Sequence, residues 1–163
     1  MMNNQDVRKI IDALTSKLLD SMLGDYTEEA TLVADVADLV KDIINAELGE
    51  FGAVWVRGED KGQIPSVWAY GAEFWPDIAV GVRGLPTVAI TVRLAGREDD
   101  LSEVVAHAVG SAVVHSVQYS YAIPFVLDQT QSDSRQHWFD SEIDERLWTD
   151  HRVSLVLSRS GRV

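Results

Sequence analysis

A chain of 163 residues with 46% hydrophobic content has the size of one domain, residues 1–163, and can bury a core without metals or crosslinks. Cysteine is absent, which excludes disulfides, thiolate metal sites and cysteine nucleophiles and favours a reducing compartment. The formal net charge of -12 sets the average field against nucleic acid and anionic membranes, so nucleic acid could bind only through a local patch of Lys and Arg.

The opening MMNNQDVRKIIDALTSKLLD interrupts its apolar positions with Asp12, Lys17 and Asp20. It reads as neither a signal peptide nor a membrane span, so the expected location is cytoplasmic. Val7, Ile10, Ile11, Leu14, Leu18 and Met22 recur at helical spacing from Val7 to Leu23, and Gly24 supplies a stop. A second amphipathic helix opens with Thr27 as N-cap and Glu28 and Glu29 in the first turn. Leu32, Val33, Val36, Leu39, Val40, Ile43 and Ile44 carry its apolar face to Leu48, and Gly49 ends it. The N-terminal helices thus occupy 7–48.

The period then becomes extended. Phe51–Arg57, Val67–Tyr70, Phe74–Val82 and Thr87–Leu94 are runs rich in β-branched and aromatic residues, separated by GEDKGQIP, a short stretch near Gly71, and RGLP. Separators of that length predict an antiparallel meander of four strands. After the charged turn Gly96–Asp100, Leu101, Val104, Val105, Ala108, Ala112, Val113 and Val117 predict a long helix whose small residues suit close packing on a sheet. A strand at Tyr121–Leu127, with Pro124 placed near an edge or bulge, makes that helix a crossover between parallel strands. Gln129–Gln136 is the most loop-like stretch, Trp138–Trp148 predicts a short acidic helix, and Arg152–Ser158 a last strand. The expected class is α/β (α+β), a mixed sheet over 51–158 in the order α-α-β-β-β-β-α-β-α-β.

The stretch Trp75-Pro76-Asp77-Ile78-Ala79-Val80, followed by Thr87-Val88-Ala89-Ile90-Thr91-Val92-Arg93-Leu94, resembles the PD-(D/E)xK nuclease superfamily and its restriction-endonuclease-like fold. In that family an Asp after Pro begins one strand, an acid-x-Lys triplet sits in the next, and a helix and a further strand follow. The resemblance spans roughly Thr27 to Val156. It places Asp77 at the metal-binding acid and Thr91-Val92-Arg93 at the triplet, with Thr91 and Arg93 on one face of their strand. Such a site holds Mg2+ between two carboxylates while the lysine steadies the attacking water. Here Thr91 offers a neutral hydroxyl and Arg93 a permanent cation that cannot act as a base.

Glu47, near the end of the second helix, and Glu103, in the helix after the triplet, are the acids that could replace the missing carboxylate; otherwise they lie on solvated helix faces. Asp77 could instead cap a turn or pair with Arg93. His107 and His115 lie eight apart on one helix, too far for a zinc pair, and read as partly buried histidines bonded to backbone or water; His137 and His151 flank the acidic helix. Of the five tryptophans, Trp55, Trp68 and Trp75 fall in the meander, where packing in the core is favoured over display on a recognition face. The resemblance then implies a catalytically degraded member, not an enzyme, acting as a protein-interaction or self-associating module with a protein partner or a homo-oligomer and no cofactor. The alternative it leaves open is a divergent Mg2+-dependent nuclease with a displaced acidic residue.

Overall fold

The computed structural model describes residues 4–20, 24–60, 64–130 and 141–159. Two N-terminal helices, α1 (Asn4–Asp20) and α2 (Glu29–Leu48), lead through a 3-10 turn at Gly49–Phe51 into strand β1 (Gly52–Val56). There follow β2 (Val67–Ala69), β3 (Ala72–Phe74), β4 (Ile78–Val82), β5 (Leu85–Ala95), α3 (Leu101–His115), β6 (Tyr121–Asp128), α4 (Ser141–His151) and β7 (Val156–Arg159). The main sheet is five-stranded and mixed, in the order β1-β4-β5-β6-β7. Its β1, β4 and β5 are antiparallel, whereas β6 pairs in parallel with both β5 and β7. The crossover from β5 through α3 makes β6 its parallel neighbour, with Thr91 opposite Pro124 and Arg93 opposite Val126.

Alternation along the strands sorts their side chains to two unlike faces. Ile78, Val80, Ile90, Val92, Ile123 and Phe125 point to the face covered by α1 and α2, where Leu14, Leu18, Leu32, Val36, Val40 and Ile43 complete the larger core. The opposite face is built from alanines: Ala79, Ala89 and Ala122 meet Ala112 of α3, and Ala95 meets Leu101, Val105 and Ala108. Small side chains on both partners let α3 lie close to the sheet.

The expected four-strand meander is replaced by a different arrangement. The run Phe74–Val82 is broken at Trp75-Pro76-Asp77, because proline has no N–H to donate to a ladder. Val67 and Phe74 pair within a separate two-stranded hairpin, β2–β3, and β1 pairs with β4 across it, Trp55 facing Ala79. The proposed cap at Thr27 is also corrected: Glu28 is the N-cap residue, in extended conformation, and makes no side-chain capping bond. Pro124 lies neither on an edge strand nor at a bulge. Ala122 N–H donates to the Arg152 carbonyl, and regular pairing with β7 resumes only at Phe125 opposite Val156. Residues two apart face the same edge, so the donor that Pro124 lacks faces an interruption in the ladder. Helix α4 runs from Ser141, and the earlier part of the helix expected from Trp138, the Gln129–Gln136 loop beyond Thr130, and Met22 and Leu23 lie outside the described residues. Among the described residues no helix is long and apolar enough to cross a membrane.

Candidate functional site

Strand β4 begins at Ile78, opposite Ile90, so the last five of the eleven residues of β5 extend past it. At this junction the Asp77 N–H donates to the Ile90 carbonyl at 3.1 Å, and the Asp77 carbonyl accepts from Arg57 N–H at 2.9 Å. The next N–H groups facing this edge of β5 are those of Val92 and Leu94, and Pro76 can offer them no continuing strand. Two carboxylates take them instead. Asp77 Oδ2 accepts from Val92 N–H at 2.8 Å, and Glu29 Oε2 accepts from Leu94 N–H at 3.2 Å. A strand edge left bare would have exposed these donors to solvent or to another chain.

Arg93 joins the two acids. Its Nη1 donates to Asp77 Oδ2 at 3.2 Å and to the Val92 carbonyl at 2.9 Å, and stands 3.6 Å from Glu29 Oε1. Backbone parity starts Arg93 on the α3 face, with Ala89 and Ala95, and its length carries the guanidinium around the uncovered edge to Asp77. An open cleft of about 480 Å3 adjoins this cluster, lined by Glu29, Val33, Val56, Arg57, Glu59 and Asp77. Among the described residues no three acidic or histidine side chains converge closely enough to hold a metal ion.

The structure therefore brings Asp77 and Arg93 together and adds Glu29, which sequence reading had assigned only to the helix dipole. Thr91 is 2% exposed, and its hydroxyl has no hydrogen-bond partner among the described residues. It takes no part in the bonds made by Asp77. Glu47 is exposed at the far end of α2, where it lines a different cleft with Lys9, Phe51 and Arg83. Glu103 is exposed on the first turn of α3. The signal that could have found Glu29 was weak: it lies 65 residues from Leu94, and no local pattern encodes that meeting.

The histidines and tryptophans also depart from expectation. His107 is exposed, whereas His115 is buried and its Nδ1 has no hydrogen-bond partner among the described residues. Burial, and secondarily the positive charge of Arg93, push its pKa down to about 4. His115 also meets the Tyr119 ring edge-on at 6.4 Å between centroids. His137 lies outside the described residues, and His151 is exposed at the end of α4. Trp55 is half-buried over Gly81, but Trp68 is 69% and Trp75 38% exposed, so these two are not core residues. The hairpin displays Trp68 because its three-residue strands stand apart from the main sheet, and Trp75, in the break that follows β3, has the Arg57 guanidinium 5.2 Å from its ring centroid. Compared with protein-family models, with curated proteins and with solved structures, the chain finds no match.

Proposed function

We propose that this chain is a non-catalytic interaction module, a degraded relative of the PD-(D/E)xK nucleases in which an arginine occupies the corner where those enzymes keep a metal. The observation that carries this is the position of Arg93 Nη1, 3.2 Å from Asp77 and 3.6 Å from Glu29. A guanidinium keeps its charge at any physiological pH, so it neutralises these acids permanently. A divalent ion would have to displace it and would then find few oxygen ligands.

The donor set does not fit Mg2+. Asp77 Oδ2 already accepts two hydrogen bonds, Thr91 is neutral and buried, and Arg93 cannot take a proton from water. Glu29 gives the nuclease alternative a second acid near Asp77, which is the one feature favouring it. Exposed Trp68, Tyr70, Phe74 and Trp75 supply apolar surface of the kind that protein partners or a second copy use. Incubation with duplex and single-stranded DNA in Mg2+ or Mn2+ tests the proposal. The expected result is no cleavage above the buffer control, and cleavage that disappears in Asp77→Ala would overturn it.

A further inference from the structure

The outer side of α3 carries a feature that the Asp77 cluster does not use. Phe74, at the end of the hairpin, leans over Ala106, His107, Gly110, Ser111 and Val114 to form a depression of about 360 Å3. Val117, just past the helix, is 80% exposed.

Gly110 is unexpected in the middle of this helix. Glycine is a poorer helix former than alanine, and the residue is neither a cap nor among the glycines with positive φ. A β-carbon at Gly110 would meet nothing within 4 Å. The fold therefore has no steric need for glycine here. Its effect is to leave the helix backbone bare at the floor of the depression, where a second helix could approach closely.

Charge narrows the choice of occupant. Within Leu101–His115 the formal charge is a single Glu103, with no Lys or Arg. The preceding turn adds Glu98, Asp99 and Asp100 against Arg97. Glu103 lies one turn before Ala106 and His107, on the same side of the helix, so an acid stands just beyond the end of the depression nearer the helix N-terminus, whereas Val114 lines its other end. A second copy would bring another chain of net charge -12 against it. From these features we infer that the groove between Phe74 and α3 receives an amphipathic helix of a partner protein, with its apolar face crossing α3 at Gly110 and its Lys or Arg side chains toward Glu103. This deepens the interaction-module reading and rests on it.

The probe is a synthetic amphipathic helix with leucine on one face and lysine on the other, alongside the same peptide with glutamate in place of lysine. Fluorescence anisotropy measures binding to the full chain, and thermal melting controls for folding. The lysine peptide should bind saturably and the glutamate peptide should not. Gly110→Leu should weaken binding at least tenfold without lowering the melting temperature, and Glu103→Lys should reverse the preference between the peptides. Equal affinity for wild type and Gly110→Leu would overturn the inference, because binding would then be charge attraction without a groove. A wild-type dimer that Gly110→Leu dissociates would also overturn it, by making a second copy the occupant. Metal uptake at Asp77 with peptide binding intact would instead overturn the non-catalytic reading alone.

Discussion

Asp77 does two jobs with one oxygen: it terminates the β5 edge at Val92 N–H and holds Arg93. Removing a partly buried, charge-assisted acceptor costs more than removing an exposed ion pair. Asp77→Ala should destabilise the fold by about 1–3 kcal/mol in chemical denaturation, and Asp77→Asn, which keeps an acceptor for Val92, by less. The pairing of Asp77 with Arg93 was legible as an ion pair between neighbouring strands, but its route was not, because parity starts Arg93 on the α3 face and only the uncovered β5 edge lets the guanidinium reach Asp77. Glu29 was not legible, because only the packing of α2 brings it to Leu94. The burial of His115 was also unreadable, since helical spacing alone cannot say which of two histidines faces the sheet.

His115 gives the fold a pH dependence whose direction is fixed. Its pKa in the fold is about 4, below the ordinary 6.5, so between these values the unfolded chain binds a proton that the folded chain excludes. The stability it confers is complete above pH 6.5 and is lost as pH falls toward 4, a loss of order 3 kcal/mol at most. Urea midpoints measured at pH 7 and pH 5 should show this decline, and His115→Leu should make it shallower.

At the scale of elements, Trp55 of β1 lies across Gly81 of β4, and a β-carbon at Gly81 would run into the indole. Gly81→Ala should therefore cost about 1–3 kcal/mol, read as a lower melting temperature, whereas Gly110→Ala should leave melting unchanged or raise it. The helices and the α3 crossover were readable because their apolar spacing is long and regular. The hairpin was not, since three-residue strands carry too little pattern to show that β1 passes over them to pair with β4. Trp68 and Trp75 were misplaced for the same reason: aromatic residues in extended segments resemble core strands unless the pairing is known. Pro124 looked like an edge marker, and only the interrupted ladder beside β6 explains it otherwise.

The whole molecule carries a net charge of -12, and repulsion among its acids opposes compactness at low ionic strength. Added NaCl should raise its melting temperature, because screening weakens that general repulsion more than the short, partly buried contacts of Arg93. A melting temperature that falls with salt would mean that ion pairs, not repulsion, dominate the surface. The mixed architecture follows from composition and punctuation; the proposed loss of catalysis rests on one corner of it, where β5 outruns β4. Calorimetric titration of Mn2+ into wild type, Arg93→Ala and the Asp77→Ala/Arg93→Ala double variant tests that corner most directly. Wild type should show no saturable heat, Arg93→Ala should show weak saturable uptake as Asp77 and Glu29 lose their internal cation, and the double variant should lose it again. Micromolar uptake by wild type that Asp77→Ala abolishes would contradict the account.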